Sequence, residues 1–136
     1  FKFLKPLSEL KELYFYQTYN LSTNSFDILP EIGKIESLLF TQIEELHNID
    51  FVAKMPYLKH LELWALPIKA LPQFPKKSPL EWVTISNLDD LEDIMGLRDL
   101  QNFKLFESLD ATERVDKLLE LQIPQLEKIM NRDLTW

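Results

Sequence analysis

The stretch Leu58-Lys59-His60-Leu61-Glu62-Leu63-Trp64 has leucine at its first, fourth and sixth positions. The same spacing of aliphatic or aromatic residues occurs in four other segments, and less well in a fifth. The four are 10–15, 35–40, 80–85 and 100–105, and the weaker match is 118–123. Along the chain the first residues of these segments lie 25, 23, 22, 20 and 18 positions apart. The chain is therefore organised around a repeated segment of slightly varying length.

This pattern resembles the leucine-rich-repeat family, whose repeats are roughly 20 to 29 residues long. Ile28-Leu29-Pro30-Glu31-Ile32-Gly33 is similar to a return segment of that family, in which proline ends the convex turn and glycine lets the chain bend. The resemblance implies an α/β fold: a short right-handed solenoid with a parallel concave sheet of five to six short strands. Its convex side would be irregular or helical. The three prolines within 67–75 predict an extended convex segment there.

The chain departs from the family pattern at the end of each strand. Asparagine or cysteine usually stands there, and its side chain satisfies backbone groups of the turn. Here the residues are Thr18, Ile43, Leu66, Leu88 and Ser108. We expect those backbone groups to find other partners.

The whole chain, 1–136, is expected to form a single domain, because 136 residues with 46% hydrophobic content suffice for one core. Repeats would begin near 10, 35, 58, 80 and 100, with a sixth copy at 118 as an option. Asp110-Ala111-Thr112-Glu113 has the form of a capping box and predicts a helix start. That helix either continues to Ile123 or breaks into a sixth strand, and Pro124 ends both alternatives. A helical cap is expected over about 124–136.

Composition excludes several classes of function. The net charge of −7 opposes a phosphate backbone, so nucleic acid is not an expected partner. Only two glycines occur, too few for a Gly-rich phosphate loop, and without cysteine there is no thiolate metal site or disulfide cap. No apolar run approaches the length of a membrane span. We expect a cytoplasmic location, with a removed leader as the alternative.

The strands should display one face to a partner. Side chains alternate across a strand, so the third, fifth and seventh positions of each segment point onto the predicted concave face. The candidate protein-binding residues there are Tyr14, Tyr16, His60, Glu62, Trp64, Trp82, Lys104 and Phe106. Large aromatics are the residues that most often dominate binding energy. Two alternatives stay open: the aromatics merely favour strands, or a second copy of the chain covers the face.

Catalytic or metal chemistry is not expected. His47 and His60 are the only histidines, and no H-E-x-x-H or EF-hand pattern is present. The acidic run 89–93 is typical of a solvated convex turn, although it could meet a basic partner or bind calcium weakly. An enzyme would require activity that depends on His60 or Glu62. We therefore predict no catalytic residues, no metal and no cofactor.

The sequence favours a non-enzymatic protein-binding module whose partner is another protein, with a basic one suggested by the acidic charge. An inhibitor or immunity protein that blocks a basic toxin or enzyme is one form of this hypothesis. The alternative is a structural fragment of a larger repeat protein or receptor that stacks on further repeats. Self-association, as a homodimer through the concave face or the uncapped ends, belongs to that alternative.

Overall fold

The computed structural model describes residues 4, 6–17, 23–109 and 113–124. Five short strands form one parallel sheet in the order of the chain. They are Glu12–Tyr16 (β1), Ser37–Thr41 (β2), His60–Trp64 (β3), Trp82–Ser86 (β4) and Leu105–Ser108 (β5). One α-helix, Glu113–Gln122 (α1), follows the sheet. Within the described ranges the connections contain short 3₁₀ helices at Thr23–Phe26, Leu29–Glu31, Asp50–Lys54 and Met95–Leu97.

The register of the first four strands agrees with the alignment made from the sequence. Glu12 pairs with Ser37, Ser37 with His60, and His60 with Trp82. These four residues occupy the third position of their segments. The leucine spacing therefore predicted the pairing of β1 to β4 residue by residue.

The fifth strand lies three residues later than predicted. Leu105, and not Asn102, is opposite Trp82. The segment 100–105 fits the leucine spacing, but the strand starts at its last residue, and Phe103 takes the place of Leu100 at the first position. In this register Phe106 points into the core and is 0% exposed. Burying that ring, with Leu100 and Phe103 still packed against the core, is the physical reason for the shift.

The core lies on one face of the sheet and under the connections. Alternate strand residues supply it, and in β2 to β4 they are 2% exposed or less. They are Leu38 and Phe40, Leu61 and Leu63, and Val83 and Ile85. At the β1 end four phenylalanines pack together, with ring centroids 5.0 to 6.0 Å apart: Phe15, Phe26, Phe40 and Phe51.

Each of the first four strands is followed directly by a residue with a left-handed backbone. Their φ angles are 43° at Gln17, 55° at Gln42, 51° at Ala65 and 52° at Asn87. For Gln17, Gln42 and Ala65, the N–H donates to a carbonyl at the end of the next strand, at 2.9 to 3.0 Å. The backbone itself thus supplies partners at these turns, as expected from the lack of asparagine or cysteine at positions 18, 43 and 66. Ile43, Leu66 and Leu88 are buried in the core, Ser108 belongs to β5, and Thr18 lies outside the described residues.

The connections also stack on one another. The segment 67–75, predicted to be extended, contains no helix, and Ala70 forms a parallel bridge with Asp93. Gly96 accepts a hydrogen bond from the Phe74 N–H at 3.1 Å, and a Cβ at Gly96 would lie 2.0 Å from the Pro72 carbonyl oxygen. Gly33 has φ +52°, which fits the bend expected of it.

Residues 118–122 are helical, so of the two alternatives for this segment the helix is found and the sixth strand is not. Val115 and Ile123 are 4% and 1% exposed, and Leu118 and Leu119 pack on the same core. The Gln122 amide accepts from the Ile94 N–H at 2.6 Å and donates to the Glu92 carbonyl at 3.0 Å. In this way a side chain of α1 satisfies the Ile94 N–H and the Glu92 carbonyl, which would pair with a further extended segment if one followed. Residues 110–112 and 125–136, which include most of the predicted capping box and terminal helix, lie outside the described residues.

Candidate functional site

The face of the sheet that points away from the core, here called the outer face, is the face predicted to be concave. Strand alternation places fourteen side chains on it. They are Glu12, Tyr14, Tyr16, Ser37, Leu39, Thr41, His60, Glu62, Trp64, Trp82, Thr84, Ser86, Leu105 and Glu107. Six of the eight predicted site residues are among them, namely all except Lys104 and Phe106.

Three of the predicted aromatics are exposed on this face. Tyr14, Tyr16 and Trp64 are 49%, 61% and 36% exposed, which is high for such large side chains. The Tyr14 hydroxyl donates to the Glu12 carboxylate at 3.3 Å. Partial desolvation and the neighbouring Glu12 carboxylate raise the pKa of Tyr14, so the hydroxyl stays a neutral donor at physiological pH.

These aromatics stand on either side of a shallow trough. Tyr14 and Tyr16 project from β1, and Glu62 and Trp64 project from β3. Between them, β2 contributes a half-buried Leu39 and Thr41, which is 8% exposed. Neighbouring strands lie about 4.8 Å apart, so the two walls are about 10 Å apart. A trough of this width can receive one extended side chain of another molecule.

The other half of the face is less accessible and contains a compact polar cluster. The rings of His60 and Trp82 stack with their centroids 4.5 Å apart and an interplanar angle of 19°. His60 Nε2 lies 3.2 Å from Thr84 Oγ1. Both rings are half-buried, and Trp82 Nε1 is buried with no hydrogen-bond partner among the described residues. Trp82 is therefore a supporting residue of the cluster more than an accessible anchor.

Burial determines the protonation of this cluster. Desolvation lowers the pKa of His60, and the Glu107 carboxylate opposes that effect. Desolvation also raises the pKa of Glu62, and here the Glu107 carboxylate acts in the same direction because like charges repel. His60 is thus neutral at physiological pH and can exchange a hydrogen bond with the Thr84 hydroxyl.

Sequence reasoning missed Glu107 and did not single out Thr84. Both are on the outer face but are only 4% and 2% exposed. Glu107 was missed because the three-residue error in β5 assigned the middle position to Lys104. The sequence signal that could have found it is the alternative segment 103–108, which has phenylalanine at the first and fourth positions and serine at the sixth.

The structure corrects the placement of two predicted site residues. Phe106 is a core residue, 0% exposed, and so is not available to a partner. Lys104 precedes β5 and pairs with Glu81 at 3.5 Å. It belongs to a row of alternating charge that lies one residue before each strand: Lys11, Glu36, Lys59, Glu81 and Lys104. The backbone carbonyl of each of the first four residues in this row accepts hydrogen bonds from the N–H groups at the start of the next strand. The row therefore lies at the N-terminal ends of the strands and not on the outer face.

The cluster brings one hydroxyl and one imidazole together. The Thr84 hydroxyl lies within hydrogen-bonding distance of the His60 imidazole, as a nucleophile and its base would. The Thr84 side chain is too buried, however, for a substrate to reach it. Among the described residues, no group of three or more His, Cys, Asp or Glu side chains is placed to hold a metal ion. His47, the other histidine, is exposed and distant in sequence from the cluster. What the outer face offers a ligand is apolar contact, hydroxyl donors and carboxylates.

Comparison with known proteins found no match: no family model fits the chain, and no curated protein or solved structure is significantly similar to it. In the part of the chain that is described, no helix is long and apolar enough to cross a membrane.

Proposed function

We propose that this chain is a short leucine-rich-repeat solenoid that binds another protein through its outer face and has no catalytic activity. The parallel sheet in chain order and the agreement of register with the leucine spacing support the repeat assignment. One observation carries the functional part: Tyr14, Tyr16 and Trp64 are exposed together on a face whose opposite side is the core.

Exposed aromatics on a rigid sheet are suited to binding. A tyrosine or tryptophan buries roughly 150–250 Å² when fully covered, so three that are one-third to two-thirds exposed offer a substantial apolar area. Their backbone is held by strand pairing on β1 and β3, so a partner need order only the side chains. This is the composition of an interface centre, where aromatics are enriched and lysine is depleted.

The sheet alone is smaller than a whole interface. Five strands at about 4.8 Å spacing, each about 16 Å long, cover on the order of 300 Å². A stable complex buries about 800 Å² on each partner. A partner seated on the outer face would therefore also contact the loops at the ends of the strands, with the aromatics near the centre of the contact.

Affinity capture tests this proposal. The intact chain, a Tyr16→Ala/Trp64→Ala variant and a Tyr57→Ala/Leu121→Ala variant are each used to capture proteins from lysate of the cells that make it. Tyr57 and Leu121 are also exposed, at 45% and 81%, but lie outside the sheet, so the second variant is a matched control. We expect a protein that is captured by the intact chain and the control and is lost with the outer-face variant. Equal capture by all three would place the binding surface elsewhere.

A second candidate function, stacking on further repeats, is favoured by a difference between the ends of the sheet. At the β5 end α1 covers the core, and Phe106 is fully buried. On β1, by contrast, Leu13 is only partly buried, whereas its register partner Leu38 is 0% exposed, and β1 pairs only with β2 among the described strands. An edge strand of this kind can pair with another strand.

Light scattering over a range of protein concentrations tests stacking. Association through β1 predicts a mass that rises with concentration and returns to that of the monomer in a Leu13→Glu variant. A homodimer through the outer face would instead be dissociated by Tyr16→Ala/Trp64→Ala. A constant monomer mass would contradict both forms of self-association.

A further inference from the structure

The charges on the outer face have one sign. Of its fourteen side chains three are glutamates, Glu12, Glu62 and Glu107, and none is lysine or arginine. The single histidine, His60, is kept neutral by burial. The face therefore carries negative charge that no cation on the same face balances.

Two lysines that precede strands of the sheet are paired with glutamates outside the outer face. Lys59 pairs with Glu36 at 3.4 Å, and Lys104 with Glu81 at 3.5 Å, both in the row of alternating charge before the strands. In that row each of these lysines has a glutamate on the neighbouring strand. Neither of these two lysines therefore neutralises Glu12 or Glu62, and the charge of those two carboxylates can attract a cation from another molecule.

The trough between β1 and β3 combines this charge with aromatic rings. Glu62 and Trp64 stand on one wall, Tyr14 and Tyr16 stand on the other, and Glu12 lies at the end of the β1 wall. A cation within about 6 Å of an aromatic ring face is attracted by the ring's quadrupole, and tryptophan is the strongest partner. With walls about 10 Å apart, a group placed on the floor is within reach of both.

Among cationic side chains, arginine fits this arrangement best. Its guanidinium is planar and weakly hydrated, stacks on aromatic rings and forms paired hydrogen bonds with a carboxylate. Its aliphatic stem can lie on the apolar Leu39 at the floor of the trough. Lysine offers a compact, strongly hydrated charge and gains less from rings.

We propose that the trough formed by Tyr14, Tyr16, Leu39, Glu62 and Trp64 binds an arginine side chain of the partner protein. This inference rests on the proposed function, because it assigns a chemistry to the partner of the same face. The Glu62 carboxylate pairs with the guanidinium, and the aromatic rings on both walls cover its faces. An arginine seated here offsets the charge repulsion between Glu62 and Glu107.

The test uses two short peptides that differ only in charge, acetyl-Gly-Gly-Arg-Gly-Gly-amide and the same peptide with citrulline. Citrulline has almost the same shape as arginine but is neutral. Each is titrated into the intact ¹⁵N-labelled chain while amide and tryptophan indole NMR signals are followed. The expected result is that the arginine peptide shifts the signals of Tyr14, Leu39, Glu62 and Trp64, and that citrulline binds about tenfold more weakly.

Charge variants provide the matched control. Glu62→Gln should weaken binding of the arginine peptide by about tenfold and leave citrulline unaffected, because only the charged pair is lost. Glu31→Gln removes an exposed carboxylate of a 3₁₀ helix that lies outside the sheet and should change neither. Added salt should weaken the arginine peptide more than the citrulline peptide.

The outcomes separate this inference from the proposed function. Equal binding of arginine and citrulline, shifts confined to residues outside the trough, or no shifts at all would overturn the arginine assignment. If the aromatic variant still abolishes capture in that case, the outer face remains the binding surface and only the chemistry of the partner is wrong. If the aromatic variant has no effect on capture, the proposed function itself fails.

Discussion

Phe106→Ala is expected to lower the free energy of unfolding by about 4 kcal/mol, because it removes a ring that lies entirely in the core. Phe106 is 0% exposed, and its partner on β4, Val83, is 0% exposed as well. A phenylalanine buries roughly 150–250 Å², and at about 25 cal/mol per Å² that is about 4–6 kcal/mol for the whole side chain. Alanine retains the Cβ, and measured core substitutions of this type cost about 3–5 kcal/mol.

The size of this effect makes it easy to measure. Domains are typically stable by about 5–15 kcal/mol, so the variant should lose a large part of its stability while the intact chain stays folded. For a chain of this length the loss corresponds to a decrease in Tm of about 10–20 °C. Urea unfolding followed by circular dichroism gives the free energy directly, through the midpoint and an unchanged slope.

The matched control is Tyr16→Ala, which removes a large aromatic from the outer face. Tyr16 is 61% exposed, so its loss should cost less than about 1 kcal/mol. Had β5 begun in the register predicted by the sequence, Phe106 would be on that same face, and the two variants would be equally mild. Similar unfolding free energies for both would therefore refute the β5 register and, with it, the placement of Glu107.

Three further predictions concern backbone geometry and charge. Gly96→Ala should destabilise the fold by about 3 kcal/mol in urea unfolding, because its Cβ would lie 2.0 Å from the Pro72 carbonyl oxygen; a cost below 1 kcal/mol would contradict the close approach. Ala65→Gly should stabilise by about 1 kcal/mol, because φ is 51° there, whereas Ala53→Gly, in a 3₁₀ helix, should destabilise; equal signs in thermal unfolding would argue against left-handed strain at Ala65. The pKa of Glu62 is higher in the folded chain than in the unfolded chain. The free energy of unfolding should therefore fall as pH rises from the usual glutamate pKa to the raised one. Glu62→Gln should then be more stable than the intact chain above that window and not below it, and a difference independent of pH would contradict the assignment.

The leucine spacing predicted the first four strands because every inward position there is an apolar residue. In β2 to β4 each inward position is an aliphatic or aromatic side chain and is almost wholly buried. A one-residue slip would expose all of them, so the pattern leaves a single register.

The fifth strand could not be predicted from the same rule because two alignments of this part of the chain with the repeat spacing compete. Residues 100–105 match the leucine spacing better, whereas 103–108 has Ser108 at an inward position. Packing decides between them: the alignment that begins at Phe103 buries Phe106 completely and still keeps Phe103 against the core. Such a preference depends on neighbouring strands and is not visible in the spacing.

Residues 118–123 were ambiguous for a similar reason, since their leucines fit both a strand and a helix. The helix is selected by contacts far along the chain, notably those of the Gln122 amide with the backbone at Glu92 and Ile94. On the outer face, alternation identified the exposed Tyr14, Tyr16 and Trp64 correctly as outward-pointing residues. It could not foresee that Trp82 stacks on His60, because that contact joins neighbouring strands.

The central claim is that a partner protein contacts the outer face, and site-specific photo-crosslinking in the producing cells tests it most directly. A photoreactive phenylalanine analogue replaces Tyr16 in one variant and Tyr57 in a second, both exposed tyrosines. We expect a covalent adduct with one protein at Tyr16 and no such adduct at Tyr57. An adduct of that protein at Tyr57 alone, or no adduct at either position, would contradict it.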